Sequence, residues 1–313
     1  METSRTARPK ARSAFVLAIL WLTVLVPLAA PFVAIALLWG HWATWRDVGL
    51  LVGMYVACGL GITVGYHRML THRAFKPTPV VKFVFLALGT MSAMGPALRW
   101  AVTHIQHHAH PDEEGDPHSP WDWLGDRPQM RVTGWKSFLR AHFLWIVYGD
   151  EAQITRYGQE LQKDPMVRFM SAWPVVIALI AAGFAIPYLV GGLQGMLWGG
   201  IVRIGLTHHI TWSINSICHI YGRRMFETPD CSRNNWVFAL LGFGEGWHNN
   251  HHAFPRSAFH GLRWWQVDLS GYLIWAMARL RLVSEVWTVP QTTLAARAAG
   301  SSNPRSPMGA ERR

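Results

Sequence analysis

Residues 48–72 read VGLLVGMYVACGLGITVGYHRMLTH. The part from 48 to 66 carries no charge and is almost wholly apolar, and about 20 helical residues cross the hydrocarbon core of a bilayer. His67 and His72 follow directly. The stretch predicts a membrane-spanning helix that ends in a pair of histidines.

Three more apolar segments, 14–38, 172–190 and 193–212, are long enough to span, with Gly191 and Gly192 turning the chain between the last two. Only 15% of the residues are charged, against about 25% in soluble proteins. The chain also has 18 Trp, a residue that gathers at membrane surfaces. These features predict an all-α integral membrane protein with four transmembrane helices. Segment 80–100 is interpreted as an interfacial or packed helix.

The basic residues predict the orientation of these helices. Residues 1–13 form a basic tail, and Arg68, Arg73 and Lys76 follow the second span, whereas the 40–47 link carries Arg46 alone. By the positive-inside rule both termini and the long loop 67–171 are cytosolic in a multi-pass protein, which we expect in the cell membrane of a bacterium. The main domain is predicted at 14–282, followed by a disordered tail at 289–313. The net charge of +11 is spread over loops and tails, which favours anionic lipid or an acidic redox partner over nucleic acid.

Three histidine boxes and one lone histidine fall on this predicted cytosolic side. The first box is 67–72, the second reads HIQHH at 104–108, the third reads HNNHH at 248–252, and His219 stands alone. The second and third boxes have i, i+3, i+4 spacing, so a helix can aim all three imidazoles of a box at one point. His67 and His72 are five apart, so their helix should end or distort between them. Nine nitrogen donors predict two metal ions with four or five ligands each, and imidazole suits iron, zinc and copper.

The other histidines have simpler interpretations. His41, His142 and His260 are expected to be partly buried polar side chains, and His110 and His118 solvated loop residues. His208 and His209 resemble a ligand pair but lie inside the fourth span. They are the only support for a membrane metal transporter, which would need ligands along the spans. Cys58, Cys218 and Cys231 show no paired spacing for a disulfide or a thiolate zinc site.

The boxes, written HxxxxH, HxxHH and HxxHH, resemble those of membrane fatty acid desaturases, and most of all the delta-9, stearoyl-CoA desaturase type. The flanking residues strengthen the likeness over about residues 48–282: DPH at 116–118, TWSINS at 211–216, GEGW at 244–247 and AFP at 253–255.

The resemblance implies a di-iron enzyme whose four transmembrane helices carry a helical cytosolic cap over the metals and an acyl tunnel. It would use O2 to insert a cis double bond, at delta-9, into a saturated acyl chain. Electrons would come from a separate donor such as cytochrome b5, a ferredoxin or a flavin reductase. Asn215, four residues before His219 on one helix face, would hold one iron through a water, and Asp116 and Glu245 are the candidate carboxylates that orient imidazoles. The implied iron ligands are His67, His72, His104, His107, His108, His219, His248, His251 and His252.

Two alternatives stay open. A hydroxylase or ketolase of the same histidine-box superfamily would use the same metals. The acyl-CoA branch also has an Arg-Asp pair before the second box, where this chain has Val102 and Thr103, and Ile105 and Gln106 stand inside the box. CoA, a glycerolipid or a carrier protein can therefore be the acyl carrier. Arg203, inside the fourth span, needs a buried partner.

Overall fold

A computed structural model describes residues 13–39, 43–124, 127–130, 134–149 and 152–301 of the 313-residue chain. His41 and nearly all of the basic tail, predicted at 1–13, lie outside the described residues, as does the part of the C-terminal tail after residue 301.

The described chain is mostly helical. The longer helices are α1 (Ala14–Trp39), α2 (Trp45–Leu60) with its π-helical continuation π1 (Gly61–Thr71), α3 (Pro79–Met91), α4 (Ala97–Ala109), α10 (Trp173–Met196), π3 (Leu197–Val202) continuing into α11 (Arg203–Ile220), α14 (Leu269–Arg279) and α15 (Gln291–Ser301). Shorter ones are α5 (Trp135–Leu139), π2 (Arg140–Leu144), α6 (Trp145–Tyr148), α7 (Ile154–Tyr157), α8 (Gln159–Gln162), α9 (Pro165–Met170), α12 (Trp236–Leu241) and α13 (His248–Ala253). The strands form two antiparallel pairs, β1 (Lys76–Pro77) with β4 (Val283–Ser284), and β2 (Trp121–Leu124) with β3 (Arg127–Met130).

Two helical stretches of the described chain are long and apolar enough to cross a membrane, Trp45–Thr71 and Trp173–Ile220. The second is 48 residues long and is broken at Gly192, whose φ of 61° and ψ of −150° are not helical. A Cβ on Gly195 would lie 2.2 Å from the carbonyl oxygen of Pro187, so the chain folds back on itself there. The turn expected at Gly191 and Gly192 is confirmed. A shorter apolar helical segment, Val16–Ala30, lies within α1.

The helix is distorted where the first box required it. In π1 the backbone N–H of His72 donates to the carbonyl of His67 at 3.1 Å, an i→i+5 bond that stacks residues five apart on one face. Two glycines let π1 press against α3: a Cβ on Gly61 would lie 2.2 Å from the backbone nitrogen of Gly89, and one on Gly65 2.8 Å from the carbonyl of Phe85. Segment 80–100 is therefore the packed helix α3 plus the start of α4.

The described part of the predicted C-terminal tail contains a helix. Disorder was expected from residue 289, yet Gln291–Ser301 form α15. Leu294 is buried in a small cluster with Phe226 and Phe254, and Arg297 lies over the Phe254 ring and donates to the carbonyl of Ala253. Buried apolar area and a cation–π contact hold this segment, which composition alone does not reveal.

Arg203 finds its partners in the backbone. Its side chain is fully buried and donates to the carbonyls of Met91, Gly183 and Gly199 at 2.7–3.1 Å. Beside it, His208 bonds the carbonyl of Ser92 at 2.9 Å. The two side chains anchor the turn between α3 and α4, and α4 carries the second box.

Candidate metal centre

The nine box and lone histidines meet in two adjoining clusters. In each cluster one ligand atom from every member lies within 4.8 Å of all the others. The five-histidine cluster contains His67, His72, His104, His108 and His251. The four-histidine cluster contains His107, His219, His248 and His252. The division of nine donors into five and four agrees with the sequence expectation.

Each triplet, however, is divided between the clusters, so the expectation that a box aims its three imidazoles at one point is wrong. The i, i+4 pair of α4, His104 and His108, joins the five-histidine cluster, and its i+3 member His107 joins the other. On α13 the pair His248 and His252 joins the four-histidine cluster, and His251 the five-histidine cluster. Residues three and four apart diverge slightly around a helix, and that divergence serves two centres.

The facing ring nitrogens are spaced as metal ligands are. The Nε2–Nε2 distances are 2.9 Å for His108–His251, 3.1 Å for His104–His108 and 3.0 Å for His219–His248. A metal–imidazole bond of about 2.1 Å, as for zinc, places two ligands at right angles about 3.0 Å apart.

Four carboxylates hold the opposite sides of these rings. Asp116 lies 2.8 Å from Nδ1 of His107, and Glu245 lies 2.5 Å from Nδ1 of His67. These are the two carboxylates that the sequence singled out. Asp112 and Asp230 make the same contact at 2.9 Å with Nδ1 of His219 and of His252.

These contacts decide where the lone pairs lie. A neutral imidazole that donates its Nδ1 proton to a carboxylate carries a lone pair on Nε2. His107 and His252 are both held in this way, yet their Nε2 atoms face each other at 3.3 Å in a buried site. Two facing lone pairs repel unless a cation lies between them. The donor set therefore fits a bound metal ion.

Burial favours the ligand form of the imidazoles. Desolvation lowers the pKa of His104, His108, His248 and His251 well below the usual value, and the neighbouring imidazoles lower it further. Neutral imidazole is the form that binds metals.

The carboxylates, in contrast, stay ionised. Burial alone would raise the pKa of Asp116, but the His107 imidazole outweighs it and holds that pKa below its usual value. Asp112 and Asp230 behave alike beside His219 and His252.

A buried ion network connects the first and third boxes. The Arg68 side chain, fully buried, lies 3.1 Å from Glu245 and 2.9 Å from Asp268. Asp268 caps α14 through the backbone N–H of Gly271 and also accepts from that of His260. Arg68 thus neutralises the carboxylate that orients His67 and ties it to the loop before α14.

His260 and His118 depart from their simple interpretation, whereas His142 is a hydrogen-bonded polar side chain in the interior, close to what was expected. His260 is 1% exposed, its ring centroid is 4.4 Å from that of His251, and its Nδ1 is 3.6 Å from Glu245. His118 is buried rather than solvated, and desolvation lowers its pKa to about 3. His142 bonds Ser216 through Nδ1 and His209 through Nε2.

A narrow apolar cavity borders both clusters. It is lined by His67 and His104 of one and His248 of the other, with Ile62, Trp100, Ile210 and Ile214 supplying apolar walls. Asn215, half-buried on α11, also lines it. The cavity thus provides an apolar space directly beside the histidines.

Sequence reasoning missed Asp112, Asp230 and His260. Asp112 opens the acidic loop after the second box, which reads as solvent-exposed, yet its side chain is fully buried. Asp230 and His260 stand in loops with no motif of their own. No local pattern in the sequence marks these three residues, because their contacts within the site are made over long distances along the chain.

Comparison with known proteins identifies the family. The model of the fatty acid desaturase family matches residues 41–279. A hex-5-enoyl-[acyl-carrier protein] acetylenase of Moorena producens (strain JHB) is 38% identical over 274 residues, 83% of each chain. A palmitoyl-monogalactosyldiacylglycerol delta-7 desaturase of Arabidopsis thaliana is 39% identical over 77% of this chain and 62% of the relative. An sn-1 stearoyl-lipid 9-desaturase of Anabaena variabilis is 37% identical over 78% of this chain and 85% of the relative.

The family match covers all three boxes and the cavity beside them. The chain therefore belongs to the fatty acid desaturase family and is an O2-dependent oxidoreductase with buried histidine clusters suited to metal.

Proposed function

We propose that this protein inserts a cis double bond at delta-9 into a saturated acyl chain esterified to a membrane glycerolipid. It uses two iron ions, dioxygen and electrons from a separate donor protein. The observation that carries the proposal is the pair of histidine clusters, whose ring nitrogens face each other at 2.9–3.3 Å, beside an apolar cavity.

The ligands of the proposed irons are the members of the two clusters. Asn215 lies on the same helix as His219 and lines the cavity near His248, as a water-mediated contact to the iron of the four-histidine cluster requires. When bound, the irons supply the dioxygen chemistry that breaks an unactivated C–H bond, which no side chain can do alone.

The protein's own residues orient the imidazoles, position the acyl chain and exclude water from the cavity. Asp112, Asp116, Asp230 and Glu245 fix the ring orientations and keep Nδ1 protonated, which leaves Nε2 free for the metal. Ile62, Trp100 and Ile214 exclude water and hold an acyl chain against His67 and His104. Neighbouring methylene groups are chemically almost identical, so the cavity that fixes the chain also fixes the bond position.

The residues before and inside the second box favour a lipid carrier over CoA. Val102 is fully buried and Thr103 donates to the carbonyl of Arg99. Ile105 packs on the core and Gln106 donates to the carbonyl of Gly115. None of the four offers a charge to a CoA phosphate. Of the three relatives described above, two are named for glycerolipid substrates and one for an acyl-carrier protein.

The membrane arrangement is part of the proposal. The fold-back at Gly192 divides Trp173–Ile220 into two segments, and with α1 and Trp45–Thr71 this gives four crossings. Both termini and the helical cap around the histidines are then cytosolic. The electron donor, cytochrome b5, a ferredoxin or a flavin reductase, docks on the cap from the cytosol.

The test is expression in a host that lacks this desaturase activity, followed by lipid-class separation and gas chromatography–mass spectrometry with double-bond location. We expect new delta-9 monoenes, appearing first in glycerolipids. A His251→Ala variant at equal expression is the matched control and should give none.

Other products would overturn specific parts of the proposed function. Hydroxylated chains without a new double bond would establish the hydroxylase alternative. A double bond at delta-5 or delta-7, or monoenes confined to the acyl-CoA pool, would overturn the bond position or the carrier, while the metal assignment would stand.

A further inference from the structure

The short helix α12 and the helix α14 present an apolar surface outside the two long membrane segments. We call it the aromatic face and define it by its exposed side chains: Trp236, Val237, Leu240 and Leu241 of α12, Trp264 and Trp265 of the loop before α14, and Leu269, Tyr272 and Trp275 of α14. Trp264 is 93% exposed and Trp236 65%. The backbone N–H of Ser270 on α14 donates to the carbonyl of Phe243, two residues after α12, at 2.9 Å, so the two helices are neighbours. Exposed apolar side chains grouped in this way mark an interaction surface.

Hydrogen bonds fix where α12 lies against the membrane helices. The hydroxyl of Tyr55 donates to the carbonyl of Leu241 at 2.5 Å. Tyr55 is ten residues after the exposed Trp45 that begins α2, hence about 15 Å along the helix axis. The hydrocarbon core is about 30 Å thick. The C-terminal end of α12 is therefore level with the apolar length of α2.

A second contact gives the same depth. A Cβ on Gly242 would lie 3.6 Å from the Ile210 side chain, and Ile210 is on α11, thirteen residues beyond the start of π3 at Leu197. Farther along, the hydroxyls of Thr63 on π1 and Ser270 on α14 are 2.7 Å apart. Both α12 and α14 are thus continuous with the membrane-spanning part of the fold.

Backbone groups at both ends of α12 are hydrogen-bonded, as they must be in a lipid environment. The Asn235 side chain accepts from the backbone N–H groups of Val237 and Phe238, and Tyr55 supplies the bond to the Leu241 carbonyl. In hydrocarbon an unpaired backbone group costs several kcal/mol, because no water is present to pair with it.

Arginines border the aromatic face. Arg263 and Arg279 flank the part of the face from Trp264 to Trp275 in sequence, and the Arg279 guanidinium lies 5.0 Å from the Trp275 ring centroid. Exposed Trp and Tyr beside Arg is the pattern of a surface at the headgroup level, where the rings meet the acyl region and the cations meet phosphate.

We infer that the aromatic face inserts into the leaflet on the histidine side, and that the acyl chain of a glycerolipid enters the cavity from that leaflet beside α12. The path from the leaflet to the cavity is short, because Gly242, which lines the cavity, directly follows the exposed Leu241. The entry route rests on the proposed glycerolipid substrate, whereas the insertion of the face does not.

The test of insertion uses nitroxide labels on the full-length protein in vesicles of phosphatidylcholine and phosphatidylglycerol. Leu240→Cys and Tyr272→Cys carry the label, with Glu113→Cys on an exposed cap loop as the matched control. Cys58, Cys218 and Cys231 are buried, so only the new thiol reacts.

We expect the labels at 240 and 272 to collide more with oxygen than with a water-soluble nickel chelate, and the label at 113 to show the reverse. Labels at 240 and 272 that behave like the one at 113 would overturn the inference, even if glycerolipids prove to be the substrate.

The entry route is tested with Leu240→Glu against Leu240→Phe. A charge at membrane depth is expelled towards water, so we expect the Glu variant to need a several-fold higher mole fraction of substrate lipid for its half-maximal rate. Its bound iron should equal that of the wild type, and the Phe variant should behave normally. An unchanged lipid dependence in the Glu variant, or product found only on acyl-CoA, would overturn lateral entry.

Discussion

The five-histidine cluster and the four-histidine cluster both consist of imidazoles, but they lie in different electrostatic surroundings. Three of the four imidazoles in the smaller cluster contact a carboxylate through Nδ1, from Asp112, Asp116 and Asp230. In the larger cluster, among the described residues, only His67 does so, and its partner Glu245 is neutralised by Arg68. One cluster gains a fifth nitrogen, and the other gains negative charge.

The comparison teaches how a protein makes two unlike histidine clusters from repeated motifs. Each triplet gives an i, i+4 pair to one cluster and its i+3 member to the other, so the helices alone would create two similar sites. Residues from separate loops then make them different. Carboxylates behind the ligands raise ligand basicity and favour more highly charged metal, so we expect the four-histidine cluster to be the more electron-rich of the two.

The largest effect is expected from removing the only ligand of the smaller cluster that lies outside the boxes. His219→Ala should leave the membrane fold intact, lower bound iron from about two to about one per chain, and abolish turnover, since the cluster loses one of its four imidazoles and the Asp112 contact that goes with it. Metal analysis of purified protein and lipid product analysis measure both.

The matched control is His110→Ala, because His110 bonds the Tyr157 hydroxyl outside both clusters. It should keep about two irons and near-normal activity. Full activity in His219→Ala would remove the lone histidine from the ligand set.

The next largest effect is expected from Glu245, which among the described residues is the only carboxylate that contacts an Nδ1 of the larger cluster. Glu245→Gln replaces the charged acceptor of the His67 Nδ1 proton by a neutral amide and leaves Asp268 as the carboxylate that pairs with the buried Arg68. We expect iron affinity of that cluster to fall about 100-fold, the upper end of the usual range for such partners. Competition with a graded chelator measures it, and the four-histidine cluster should keep its ion throughout the titration.

A smaller effect is expected from one of the three carboxylates behind the other cluster. Asp230→Asn should weaken that site about tenfold, because Asp112 and Asp116 still hold His219 and His107. The same chelator titration applies. If Asp230→Asn weakened iron binding more than Glu245→Gln does, the electrostatic comparison would be wrong.

The smallest effect concerns Asn215. In the proposed site it contacts iron through a water and contributes one hydrogen bond of about 0.5–1.5 kcal/mol, so its removal should cost about two- to tenfold. Asn215→Ala should therefore keep about two irons and turn over at a reduced rate. Loss of a whole iron in this variant would make Asn215 a direct ligand.

Local spacing predicted much of this site, and distant contacts supplied the rest. The i, i+3, i+4 pattern and the five-residue gap identified the histidines and the helix distortion, which π1 realises through the close approach of Gly61 and Gly65 to α3. Asp112 and Asp230 escaped notice because their burial depends on loops folding over α11. α15 escaped because its alanine-rich sequence is held mainly by Leu294 and Arg297.

The central claim is that one chain holds two iron ions in unlike surroundings, and Mössbauer spectroscopy of the protein loaded with ⁵⁷Fe tests it most directly. We predict two quadrupole doublets of equal area, of which Glu245→Gln changes one and Asp230→Asn the other. A single doublet from one iron per chain, or one doublet that both variants alter together, would contradict the claim.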